Sequence, residues 1–83
     1  MATTREDIEQ WFKEGVRQGA THMVVVCDTF DWEDFPVYVE PGKNPRDVFA
    51  EHHEKNMEKV MEVYSLKMPM EDQLNEHRAF HFD

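Results

Sequence analysis

Four carboxylates fall within one short stretch, Asp28-Thr29-Phe30-Asp31-Trp32-Glu33-Asp34, interleaved with aromatic side chains. Carboxylates crowded on a loop can hold Mg²⁺ or Ca²⁺, because hard cations want oxygen ligands converging at about 2.1 to 2.5 Å. The spacing here departs from the Ca²⁺-binding loop and the glycine that such a loop needs is missing, which leaves a metal-dependent enzyme using these carboxylates as a remote alternative and no metal ligand is assigned. The same stretch suits a protein-binding knuckle better. Asp28, Asp31, Glu33 and Asp34 would meet Lys or Arg on a partner, while Phe30 or Trp32 would act as the buried aromatic anchor on which interfaces depend, with Tyr38 nearby. The ordinary alternative is that aspartates simply favour turns and that Phe30, Trp32 and Phe35 fold back onto a thin core.

Other reactive groups are sparse. Cys27 stands between Val26 and Asp28, where a neighbouring carboxylate disfavours the thiolate, so it reads as a small core residue. His52 and His53 are adjacent and point about 100° apart on a helix, and Asn56 and Met57 stand where a second zinc ligand would be needed. His77 and His81 have the four-residue spacing but sit in the tail. Gly15, Gly19 and Gly42 are isolated, so no phosphate-cradling loop or nucleophile elbow is present. A non-enzymatic protein without cofactor is the expectation. A second binding reading has an oligomer sequester a small signalling nucleotide in an interface pocket lined by Trp11, Arg17, Lys43 and Arg46, and convergence of the three bases on one cleft would favour it.

The elements that must position these groups follow from punctuation and periodicity. Thr3 and Glu6 form a capping-box pattern, and Ile8, Trp11, Phe12 and Val16 recur at helical spacing until Gly19, which predicts a helix over residues 4–18. Residues 22–28 and 35–40 are two β-rich runs around the acidic turn and predict an antiparallel hairpin. Pro36 suits an edge position. Asn44 and Pro45 then start a helix whose apolar positions, Val48, Phe49, His53, Met57, Val60, Met61 and Tyr64, predict about five turns with Glu51 and Lys55 on a charged face. Pro69 restarts a short helix with Glu71 and Asp72 early and His77 and Arg78 late, and Met70, Leu74 and Phe80 are expected to cover the core. The fold class is α+β, in the order α-β-β-α-α, with an antiparallel β-hairpin packed against helices.

With 83 residues the chain is a single domain, 1–83, with a thin core. One cysteine excludes an internal disulfide, and a two-stranded sheet with an open edge is marginal alone. A homodimer or higher oligomer is therefore expected. The net charge is −9, which excludes direct nucleic-acid binding through phosphate contacts and points to a basic protein surface as partner. Between Gln18 and Gly42 there is no Lys or Arg, so the acidity is concentrated on the hairpin. The polar start MATTREDIEQ and the lack of a long apolar run predict a cytoplasmic protein that engages no membrane.

Residues 19–39, GATHMVVVCDTFDWEDFPVYV, together with 76–82, EHRAFHF, resemble a group of short, largely uncharacterised proteins of bacteria and their phages. That resemblance carries no activity, catalytic residue or cofactor to this chain. It implies the size and acidity of small phage inhibitors directed against host defence.

Overall fold

The computed structural model describes residues 3–53, 57–76 and 78–82. Its elements run α1 (Arg5–Gln18), β1 (His22–Asp28), β2 (Glu33–Val39), α2 (Pro45–His52), β3 (Glu58–Ser65) and α3 (Met70–Leu74). The α+β class and the antiparallel hairpin are as expected, with one strand added. The three strands form one sheet in the order β2-β1-β3, antiparallel throughout.

Helix α1 starts one residue later than the Thr3–Glu6 pattern suggests. Thr4 Oγ1 accepts from the Asp7 amide at 3.2 Å and Asp7 Oδ2 accepts from the Thr4 amide at 3.0 Å, so each satisfies a donor the other leaves open. Ile8 and Phe12 then turn inward. The helix stops where Gly19 adopts φ 81°, a conformation that costs a side-chain-bearing residue far more than glycine.

Strand β1 is central and buried on both faces. Met23 and Val25 join Ile8, Phe12 and Tyr64 beneath α1, while Val24 and Val26 join Val39, Val48, Val60 and Val63 beneath α2. The helices thus cover opposite faces of the sheet. Tyr38 fastens β2 to α1 by donating its hydroxyl to the Trp11 carbonyl at 2.8 Å. A close helix–sheet approach accompanies it, since a Cβ on Gly15 would stand 2.9 Å from the Tyr38 ring and 2.7 Å from the Leu66 side chain.

The five-turn helix expected from Asn44 onward is corrected by the structure. Asn44 does cap α2, its Oδ1 accepting from the Arg46 amide at 2.9 Å with Pro45 next, but the helix ends at His52 and β3 follows. A β-bulge explains the misreading. Val26 pairs with Val60 and Val25 with Glu62, so Met61 is an extra residue in β3. The inward residues therefore run Val60, Met61, Val63, Tyr64, a spacing that imitates a helical stripe although the segment is a strand. Lys55 and His77, part of the charge-pair and histidine-spacing expectations, lie outside the described residues.

The last helix stops at Leu74, short of Arg78, and Phe80 is exposed, because the segment beyond the helix instead runs along the outer side of β3. The Val63 amide donates to the Ala79 carbonyl at 2.8 Å and the His81 amide to the Val63 carbonyl at 2.9 Å, a parallel bridge. At the end of β3, the buried Gln73 side chain behaves as a strand would. Its Oε1 accepts from the Ser65 amide and its Nε2 donates to the Ser65 carbonyl, both at 2.8 Å. The sheet has a third strand and one covered edge, and among the described residues β2 keeps an outer edge without a backbone partner.

Two expectations follow from this packing. Gln73→Ala strands the buried Ser65 amide and carbonyl together and is expected to lower unfolding free energy by about 2–4 kcal/mol, measured by urea denaturation. Tyr64 is held protonated by burial first, then by its 2.8 Å bond to Glu62 and the Glu62 charge, so its pKa lies well above the ordinary value near 10. A group raised on folding stabilises below its unfolded pKa, and that contribution is lost as pH climbs beyond about 10. Tyr64→Phe is expected to flatten this alkaline loss when stability is followed from pH 8 to 11.

Candidate partner-docking surface at the hairpin turn

Residues 29–32 connect β1 to β2, and their shape is dictated by Asp28. Its Oδ1 accepts from the Phe30 amide at 2.8 Å and the Asp31 amide at 3.4 Å, while its carbonyl accepts from the Trp32 amide at 2.6 Å. An aspartate at this position folds the backbone back on itself, as short acceptor side chains do in turns. Asp28 therefore builds the turn, and the Oδ1 expected to meet a partner's base is engaged inside it.

The turn is also tied sideways to β3. Both the amide and the hydroxyl of Thr29 donate to the Met57 carbonyl, at 2.7 and 2.8 Å. Phe30, Trp32 and Met57 consequently emerge at the same end of the sheet, 71%, 69% and 58% exposed. Asp31 and Glu33 are exposed beside them. Of Phe30, Trp32 and Phe35, only Phe35 turns inward, packing against the cluster under α2.

Trp32 has φ 57°. A bulky residue in the left-handed region is an outlier, disfavoured by roughly 1–2 kcal/mol. Here the strain is not repaid by core packing, since most of the indole is in solvent. Met57 shares this conformation at φ 62°.

The remaining sequence-predicted residues separate from the turn. Tyr38 belongs to the α1 face, where burial, followed by the charge of Glu14, raises its pKa. Asp34 is half-buried opposite Cys27 in the β1–β2 register, and Lys59 stands opposite Cys27 on the other side. The hairpin thus acquires a basic neighbour from β3 that linear charge counting places elsewhere. Cys27 is pushed toward the protonated thiol mainly by burial, then by Asp34 and Asp28, with Lys59 opposing.

Within one chain the bases of the nucleotide reading stand on different elements. Arg17 lies on α1 and pairs with Glu14, Nε to Oε2 at 2.7 Å. Lys43 precedes α2, and Arg46 lies on α2 with its guanidinium 4.5 Å from the Phe82 ring centre. These two helices cover opposite faces of the sheet, and Trp11 is packed against the α1 cluster. Among the described residues no three His, Cys, Asp or Glu side chains come together as a metal-ligand set. His52 Nδ1 instead lies 3.0 Å from Glu58 Oε1, linking α2 to β3. No described helix is long and apolar enough to cross a membrane.

Met57 is the surface residue that sequence reasoning missed, because the apparent helical stripe placed it in the core. The signal that would have found it is the strand-like EKVMEVYS beginning at Glu58, which makes Met57 a pre-strand residue beside the turn. No protein-family model, curated protein or solved structure matches this chain.

Substitutions at the turn are expected to separate folding from surface chemistry. Trp32→Gly relieves the left-handed strain at the cost of a more flexible unfolded chain, so unfolding free energy is expected to stay level or rise by up to about 1 kcal/mol. A fall of several kcal/mol in urea denaturation would show instead that Trp32 is a core residue.

Proposed function

We propose that this chain is a non-enzymatic binding protein that docks its hairpin turn onto a basic protein surface. The observation that carries this reading is the joint exposure of Phe30 and Trp32 between the exposed acids Asp31 and Glu33. Aromatic side chains lose little conformational freedom on burial and fill partner pockets well, which is why Trp and Tyr dominate interface energetics. Acidic neighbours steer a basic partner into register and disfavour acidic competitors. Met57 extends the apolar centre, and a thioether adapts to irregular surfaces.

The net charge of −9 adds a long-range attraction toward positively charged proteins. On the resemblance of residues 19–39 to short phage proteins, the partner would be a host defence or nucleic-acid-binding protein, engaged at its basic groove. The chain would then act by occupying that groove rather than by altering its contents chemically.

Such an interface should be salt-sensitive, because exposed charges are screened within about 8 Å at physiological ionic strength. With a partner recovered by affinity capture, charge reversal through Asp31→Lys with Glu33→Lys is expected to weaken binding at least tenfold at low salt. Trp32→Gly is expected to weaken it similarly at all salt concentrations. Binding that ignores both changes in a titration by surface plasmon resonance would remove the turn from the interface.

A further inference from the structure

An open cleft lies on the α1 face of the sheet, between the β3 bulge and the start of α1. It is a cleft of about 330 Å³ with Ile8, Met61 and Leu74 as apolar walls. The bulge is what furnishes it. By placing an extra residue in β3, it sets Met61 and Glu62 side by side on the face that also carries Tyr64, and bulges commonly re-aim side chains beside binding sites.

The charges lining the cleft divide into those already engaged and those available. Arg5 is held by Glu71 at 2.8 Å, Asn75 at 3.0 Å and Glu9 at 3.4 Å. Glu76 is held by His81. Glu62 receives the Tyr64 hydroxyl on Oε2 at 2.8 Å, which orients the carboxylate and leaves Oε1 without a partner among the described residues. Asp34 meets no base within ion-pair distance and Arg78 no carboxylate, again among the described residues. Two carboxylates and one guanidinium are therefore available. Asp34 on β2 lies opposite Cys27 and Glu62 on β3 opposite Val25, so their backbones stand two strand spacings apart and two residues offset, roughly 12 Å.

We infer that this cleft binds a free basic α-amino acid, a molecule with two cationic groups and one carboxylate. Its side-chain cation and α-ammonium would span Glu62 and Asp34, its carboxylate would meet Arg78, and its methylene stem would lie on Met61 and Ile8. The complement of the available charges is this set of groups, and the apolar walls suit a stem of several methylenes. A dicarboxylic amino acid placed the same way would set its side-chain carboxylate against one of the two acids, where a basic amino acid sets a cation.

The test is a titration of the full chain with L-arginine and L-lysine to about 10 mM, followed by amide NMR shifts, with agmatine, which lacks the carboxylate, and L-alanine, which lacks the side-chain cation, as comparisons. Saturable shifts at Glu62, Tyr64 and Arg78 are expected for arginine or lysine, and not for alanine. Glu62→Gln keeps an acceptor for Tyr64 and is expected to weaken binding about tenfold or more, as is Asp34→Asn on a different strand. Arg78→Ala is expected to weaken arginine while leaving agmatine unchanged. Absence of saturable shifts, equal binding of alanine, or indifference to Glu62→Gln and Asp34→Asn would overturn the assignment.

Discussion

Strand β1 is the constraint on which the rest of this fold depends. It is paired along both edges and covered on both faces, so Met23, Val24, Val25 and Val26 have almost no contact with solvent. A chain this short has few ways to bury enough apolar surface, and a doubly covered central strand uses one segment in two packing layers at once. Helix α1 must then lie against one layer and α2 against the other. The acidic turn and the bulge are displaced to the ends and edges of that scaffold, where departures from regular pairing cost least.

Much of this was legible in the residues. The caps at Gly19 and Asn44, the run of valines in β1 and the hairpin all announce themselves through local chemistry that tertiary contacts reinforce. The third strand was hidden for a physical reason. Its inserted Met61 shifts the alternation by one position, and Val60, Met61, Val63 and Tyr64 then mimic the spacing of a helix face. Local pattern could not distinguish the two; only pairing with β1 does. The exposure of Trp32 was equally beyond the sequence, because an aromatic beside a turn can fold inward, as Phe35 does, or stand outward.

The bulge also rearranged the electrostatics. Counting charges along the chain isolates the hairpin as a region without bases, yet β3 delivers Lys59 across from Cys27 and sets Glu62 beneath α1. Charge neighbourhoods in a small sheet are set by register, not by proximity along the chain. The two recognition surfaces proposed for this molecule follow from that: one at the tip of the hairpin, the other on the sheet face where β3 departs from regular pairing.

The double hydrogen bond from Thr29 to the Met57 carbonyl gives the turn an unusual dependence on distant sequence. Phe30 and Trp32 lie close to each other in the chain, but the surface they form with Met57 is assembled only when β3 has docked. A chain that had made the hairpin alone would display two aromatics without their third member and without the anchor that holds the turn against the sheet. The complete exposed surface at this end of the molecule is therefore a property of the finished fold and not of the hairpin by itself.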